Sequence, residues 1–139
     1  MFNVVDVNKW NNQNTETKEI KRGDIFWCDC RAEGYHNQNG IRPCIIVSND
    51  KANQHAPIVT VVPITSATKK PLPTHSFVTT SKGINTVLCE QIQCVSKERV
   101  LGFMGHISEF EQHFVDRGIK RQLGLYEETQ NLNDGSNNE

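Results

Sequence analysis

Residues 58–65 read IVTVVPIT. Apart from the proline every side chain in this run is β-branched, stiff at χ1 and suited to the pleated surface of a sheet. Pro63 cannot donate to a ladder, so inside a strand it marks an edge or a bend. Working outward, the same β-branched and aromatic character recurs in DIFWCDC (24–30) and CIIVSN (44–49) before it, and in HSFVTT (75–80), VLCEQIQCV (87–95) and RVLGFMGHI (99–107) after it. Gly, Pro, Asn and Lys punctuate these runs. Six short strands, one holding Pro63 and another Gly102, predict a small, strongly bent sheet or barrel rather than a flat open sheet.

A single helical pattern closes the series. In SEFEQHFVDRGIKRQLGL (108–125), Ser108 and Glu111 form an S-x-x-E capping box, and Phe110, Phe114, Val115, Ile119 and Leu123 recur at steps of three and four. Gly124 stands where a C-terminal cap belongs. The apolar stripe is expected to pack on the sheet, although Gly118 weakens the helix by about 1 kcal/mol relative to alanine. The expected fold class is therefore mainly β (α+β): a small barrel of about six short strands with a C-terminal helix packed on it.

The chain has 139 residues, 36% of them hydrophobic, which suits one compact domain. No run approaches the roughly 18 consecutive apolar residues of a membrane span, and the start MFNVVDVNKW lacks the basic-then-apolar layout of a secretory signal. A soluble cytoplasmic protein is expected. The five cysteines, Cys28, Cys30, Cys44, Cys89 and Cys94, fall in or beside strand-like runs, which favours reduced, buried thiols. Cys28 and Cys30 lack both the spacer and the second pair of a structural zinc site. Residues 1–17 and 126–139 are polar and Asn-rich, and mobile tails are expected there, flanking a domain over 18–125. The tails carry charges of −1 and −4 in a chain of net −1, which leaves +4 on the domain. A mildly basic core under acidic tails suits a polyanionic partner.

The sequence carries no phosphate-cradling glycine loop, no H-E-x-x-H and no G-x-S-x-G, and its five histidines form no ligand-spaced pair. What remains is a lone arginine in QNGIRPCIIVSND (38–50), set between an apolar residue and a proline at the start of an apolar run. An arginine beside a strand either lies on the solvated face or points into a pocket that holds an anion.

KRGDIFWCDC, QNGIRPCIIVSND, VVPITS, LPTH, VLCEQIQCVSKERV and GHIS resemble, in order and spacing, the MazF/PemK (Kid) family of toxin endoribonucleases from type II toxin-antitoxin systems. The resemblance covers about residues 20–125. It implies a dimeric, SH3-like barrel, sequence-selective and metal-free cleavage of single-stranded RNA, no cofactor, and neutralisation by a MazE-type antitoxin. It also places the family's catalytic pair on Arg42 and Thr65, with Ser66 a weaker candidate.

The chemistry fits those residue types. RNA carries its own nucleophile, the 2′-OH, so a protein has only to position the phosphate, stabilise charge on its oxygens and help protons move. A guanidinium is always charged and donates in a fork that matches two phosphate oxygens, while a threonine hydroxyl bonds a third group. Substrate reading should fall to the loops. In RAEGYHNQNG (31–40), Asn37 and Gln38 can read base edges while Tyr35 and His36 stack on splayed bases. In SATKKPLPTH (66–75), Lys69 and Lys70 can meet the phosphate backbone. The resemblance puts Glu90 and Gln91 near the RNA groove, with a structural hydrogen-bonding role equally open.

The chain departs from the family pattern at Asn37, where many relatives are acidic, at Gln93, where an arginine often stands, and in a longer spacing from Gly34 to Arg42. The base sequence cleaved is therefore not transferable. Two other classes remain: a CcdB-like gyrase poison of similar fold, and a non-enzymatic SH3-like binding module.

Overall fold

The computed structural model describes residues 4–6, 17–31 and 40–125. From the segment expected to be a tail, β1 (Val4–Asp6) pairs antiparallel with β2 (Thr17–Glu19), which runs into the expected domain. The main sheet is built from β3 (Asp24–Asp29), β4 (Ile41–Ile46), β5 (Ile58–Thr65), β6 (His75–Thr80), β7 (Gly83–Leu88), β8 (Gln93–Ser96) and β9 (Val100–His106). Its order is β6-β7-β5-β4-β3-β9, with β8 also paired to β5 and every pairing antiparallel. The sheet curls into a half-barrel, and two helices complete the fold, α1 (Asp50–His55) and α2 (Glu109–Leu123).

Strand β5 organises the sheet. One edge pairs with β4, while the other serves two partners: Ile58–Val61 run against β8, and Ile64 and Thr65 against β7. The change of partner falls at Val62 and Pro63, between the two ladders, where a residue without an N–H costs no ladder bond. This corrects the expected single strand over 87–95. That run holds the end of β7 and most of β8, separated by a 3-10 turn, Cys89–Gln91, from which Gln91 reaches Arg42 of β4 and Glu90 reaches Thr74 and His75 at the start of β6.

Both faces of the sheet are covered, which explains the unbroken apolar runs of β4 and β5. Phe26, Cys28, Cys44, Ile46, Val59 and Val61 pack together in one core. Ile25, Ile45, Val62, Ile64, Val87 and Cys89 pack on the other side with Val115 of α2. Alternation along each strand assigns neighbours to opposite cores. One carboxylate is buried among them: Asp24 accepts from Lys18 Nζ at 2.7 Å and from the Lys21 amide at 2.9 Å, and lies 2.7 Å from His106 Nδ1, fastening β3 to β9.

The C-terminal helix forms where its caps predict. Ser108 and Glu111 make the capping box, and Gly124 closes the helix at φ 71°, a left-handed conformation that favours glycine. The buried seam is narrower than the apolar pattern predicts. Val115 and Gly118 are buried, but Phe110 is 73% and Leu123 53% exposed. Leu123 lies five residues beyond Gly118, about 140° around the helix at 3.6 residues per turn, so it faces away from the sheet. Among the cysteines, Cys28, Cys44 and Cys89 are buried, Cys30 is half-buried, and Cys94 is exposed, a correction that the alternation of β8 around buried Val95 explains. All five are free thiols, and burial pushes Cys89 up to about 12. The missed helix α1 had a readable signal, since Asn49 caps it by accepting from the Ala52 amide at 2.8 Å. Among the described residues no helix is long and apolar enough to cross a membrane.

Candidate active site

The ends of β4 and β5 open onto a groove of about 330 Å³. That is at the lower end of the roughly 300–1,000 Å³ typical of small-ligand pockets. The β4–β5 register pairs Cys44 with Pro63. Continuing it two residues along each strand brings Arg42 opposite Thr65, and both line the groove. Pro43 follows Arg42 and pairs with Trp27 of β3, which lines the same groove.

Arg42 is half-buried, and its Nη1 donates to Gln91 Oε1 at 2.7 Å. Thr65 ends β5, and its Oγ1 accepts from the Ala67 amide at 3.1 Å, which leaves its own O–H free to donate into the groove. Ser66 is exposed and lines the groove beside it. The charged residues of the lining are Arg42 and Lys82, with no carboxylate among the described lining residues. Such a site favours an anion and gives a phosphate both a fork of N–H donors and a hydroxyl.

Lys82 is a residue that the sequence reading passed over. It sits in the turn between β6 and β7, where Thr80 Oγ1 accepts from the Lys82 amide at 3.1 Å and donates to the Gly83 carbonyl at 3.2 Å. Gly83 takes φ 111°, closed to most side chains. The turn carries the Lys82 ammonium to 5.7 Å from the centre of the Trp27 ring. The signal was present in Ser81-Lys82-Gly83 between two β-rich runs, a hairpin pattern that places a lysine at its tip.

Glu90 and Gln91 divide. Gln91 reaches Arg42, whereas Glu90 turns to Thr74 and His75, accepting from Thr74 Oγ1 at 3.2 Å and lying 3.0 Å from His75 Nε2. Burial pushes the Glu90 carboxyl up, but the His75 contact and the other hydrogen bonds outweigh it and hold the group below its usual range. Lys69 and Lys70 are exposed and do not line the groove. Asn37 and Gln38, with Tyr35 and His36, lie outside the described residues. At the root of that loop, Arg31 donates to both oxygens of Asp29 at 2.8 and 2.6 Å, holding that carboxyl down at about 2. Gly40 has no room for a side chain there, since an added Cβ would lie 1.8 Å from Arg31 Cγ. Among the described residues no three His, Cys, Asp or Glu side chains converge as metal ligands.

Residues 21–123 match the family described as PemK-like, MazF-like toxins of type II toxin-antitoxin systems. An endoribonuclease MazF of Staphylococcus saprophyticus is 32% identical over 112 residues, covering 77% of this chain and 93% of the relative. A solved endoribonuclease from a mycobacterial species, in complex with its cognate antitoxin, superposes with a TM-score of 0.65 at 25% identity, over 78% of this chain and 98% of that one. MazF from Deinococcus radiodurans shares the fold at a TM-score of 0.64 and 20% identity, over 76% of this chain and 96% of that one. With the match spanning the whole sheet and α2, this chain belongs to the PemK-like, MazF-like toxins of type II toxin-antitoxin systems and is a toxin endoribonuclease of that family.

Proposed function

We propose that the chain cleaves single-stranded RNA without a metal ion, by attack of a nucleotide's 2′-OH on its own 3′-phosphate, with Arg42 and Thr65 as the catalytic pair. The observation that carries this reading is the meeting of a guanidinium and an unspent hydroxyl in one groove with no carboxylate in its described lining. In the attack the 2′-oxygen forms a bond to phosphorus and gives its proton to water, the bond to the 5′-oxygen breaks, and that oxygen takes a proton from water to leave as a 5′-OH, with a 2′,3′-cyclic phosphate on the other fragment. Negative charge grows on the non-bridging oxygens, where Arg42 donates as a fork and Thr65 adds a third donor. Lys82 and Ser66 hold the neighbouring phosphate, and Lys69 reaches the strand further out. Asn37 and Gln38 read base edges, while Glu90 and Gln91 shape the groove from behind.

The toxin works in the cytoplasm as a homodimer, restrained by a MazE-type antitoxin. The solved mycobacterial relative held by its cognate antitoxin supports the partner. The charge of +4 over residues 18–125 suits both an acidic antitoxin and RNA, so the two compete for one surface.

Incubation with total RNA in EDTA tests the reading. Cuts confined to a small set of sequences, at a rate unchanged by the chelator, are expected. Intact RNA together with inhibited gyrase would point to a poison of the CcdB type instead.

A further inference from the structure

The 3-10 turn Cys89–Gln91 sets two neighbouring side chains to different partners. Gln91 Oε1 accepts from Arg42 Nη1 at 2.7 Å. Glu90 accepts from Thr74 Oγ1 at 3.2 Å and meets His75 Nε2 at 3.0 Å. The His75 side chain is only 6% exposed, so packing fixes it. The segment that carries Thr74 and His75 is in turn held by α2, where Arg121 Nη1 donates to the Pro73 carbonyl at 3.0 Å. Cys89 itself is buried against the same helix, its thiol 3.6 Å from the Val115 carbonyl. A continuous run of contacts therefore leads from α2 through Thr74, His75 and Glu90 to the turn, and from Gln91 to Arg42.

We infer that Glu90 and His75 are positioning residues for RNA cleavage: their contact fixes the turn so that Gln91 holds the Arg42 guanidinium aimed into the groove. The inference rests on the assignment of Arg42 as catalytic. A free arginine side chain samples many rotamers, and ordering it during the reaction opposes catalysis, whereas a pre-held guanidinium is already placed. The charges divide in keeping with this role. Gln91 is a neutral acceptor, which orients Arg42 without cancelling the charge that a phosphate needs. A carboxylate there would form an ion pair and compete with RNA. The carboxylate one residue earlier is turned away from Arg42 and engaged by Thr74 and His75.

Steady-state kinetics on an RNA oligonucleotide cut by the wild type test this, with melting curves as the fold control. Gln91→Ala is expected to lower kcat by roughly tenfold with a smaller change in KM, and Glu90→Ala to do the same. Because both act through Arg42, adding Glu90→Ala to Gln91→Ala should cost less than about twofold more. His75→Gln, which keeps an N–H near Glu90, should recover most of the kcat lost in His75→Ala. If Glu90→Ala does not fold, Thr74→Val removes one of the Glu90 hydrogen bonds with little change in shape and serves in the same cycle. Losses that multiply in the double variant, or a folded Glu90→Ala at wild-type kcat, would overturn the positioning role. A folded Arg42→Ala that cleaves like wild type would instead overturn the catalytic assignment beneath it.

Discussion

Arg42→Ala is expected to lower kcat/KM for RNA cleavage by about 10²–10³-fold while the protein still folds. The size follows from removing a preorganised charged donor from the position where phosphate charge develops. Stability should change little, because the side chain is half-buried and is held by a hydrogen bond to Gln91 rather than by core packing. Surface changes of this kind typically cost within about 0.5 kcal/mol. Arg42→Lys keeps the charge but loses the two-pronged geometry, and should also fall well short of wild type. Cleavage assays beside thermal melts check both variants, and full activity in a folded Arg42→Ala protein would remove Arg42 from the mechanism.

Gly118→Ala is expected to destabilise the fold, against the sign that helix propensity gives. Alanine in a helix interior is favoured over glycine by about 1 kcal/mol. At this position, however, an added Cβ would lie 2.6 Å from the Thr74 carbonyl oxygen and 2.8 Å from Cys89 Sγ. The first of these is backbone and cannot swing aside, so α2 would have to lift from the sheet. Overpacking of this type costs about 1–3 kcal/mol, enough to cancel or exceed the propensity gain, and Gly118→Val should cost more. Urea unfolding measures the difference, and a raised midpoint for the Gly118→Ala protein would contradict the account. The glycine that weakens the helix in isolation is what lets the helix approach the sheet.

That reversal shows where the sequence was legible and where it was not. β-branched runs and the capping box placed β3, β5, β6, β9 and α2, because these depend on local patterns that tertiary contacts did not override, whereas β4 lies three residues earlier than the expected 44–49 and so takes in Arg42. The split of 87–95 into β7, the 3-10 turn and β8 was not legible, since it depends on Thr74, His75 and Arg42 reaching Glu90 and Gln91 from distant positions. The exposure of Phe110 and Leu123 depends likewise on which side of α2 the sheet accepts, and that side is the one where Gly118 lies close against Thr74 and Cys89. Arg42 and Thr65 were singled out through their neighbours in sequence, and the strand register explains why they share a groove. Lys82 was missed because the turn that presents it was read only as a gap between strands.

In the proposed reaction the substrate's own 2′-OH is the nucleophile in the Arg42–Thr65 groove. A chimeric oligonucleotide tests it most directly: RNA throughout, carrying a sequence the toxin cuts, with a single 2′-deoxy nucleotide on the 5′ side of the scissile bond. The expected result is no cleavage at that bond while the all-RNA control is cut. Cleavage of the chimera at the control rate, leaving a 5′-phosphate and a 3′-OH, would contradict the account, because water rather than the 2′-OH would then be the attacking group.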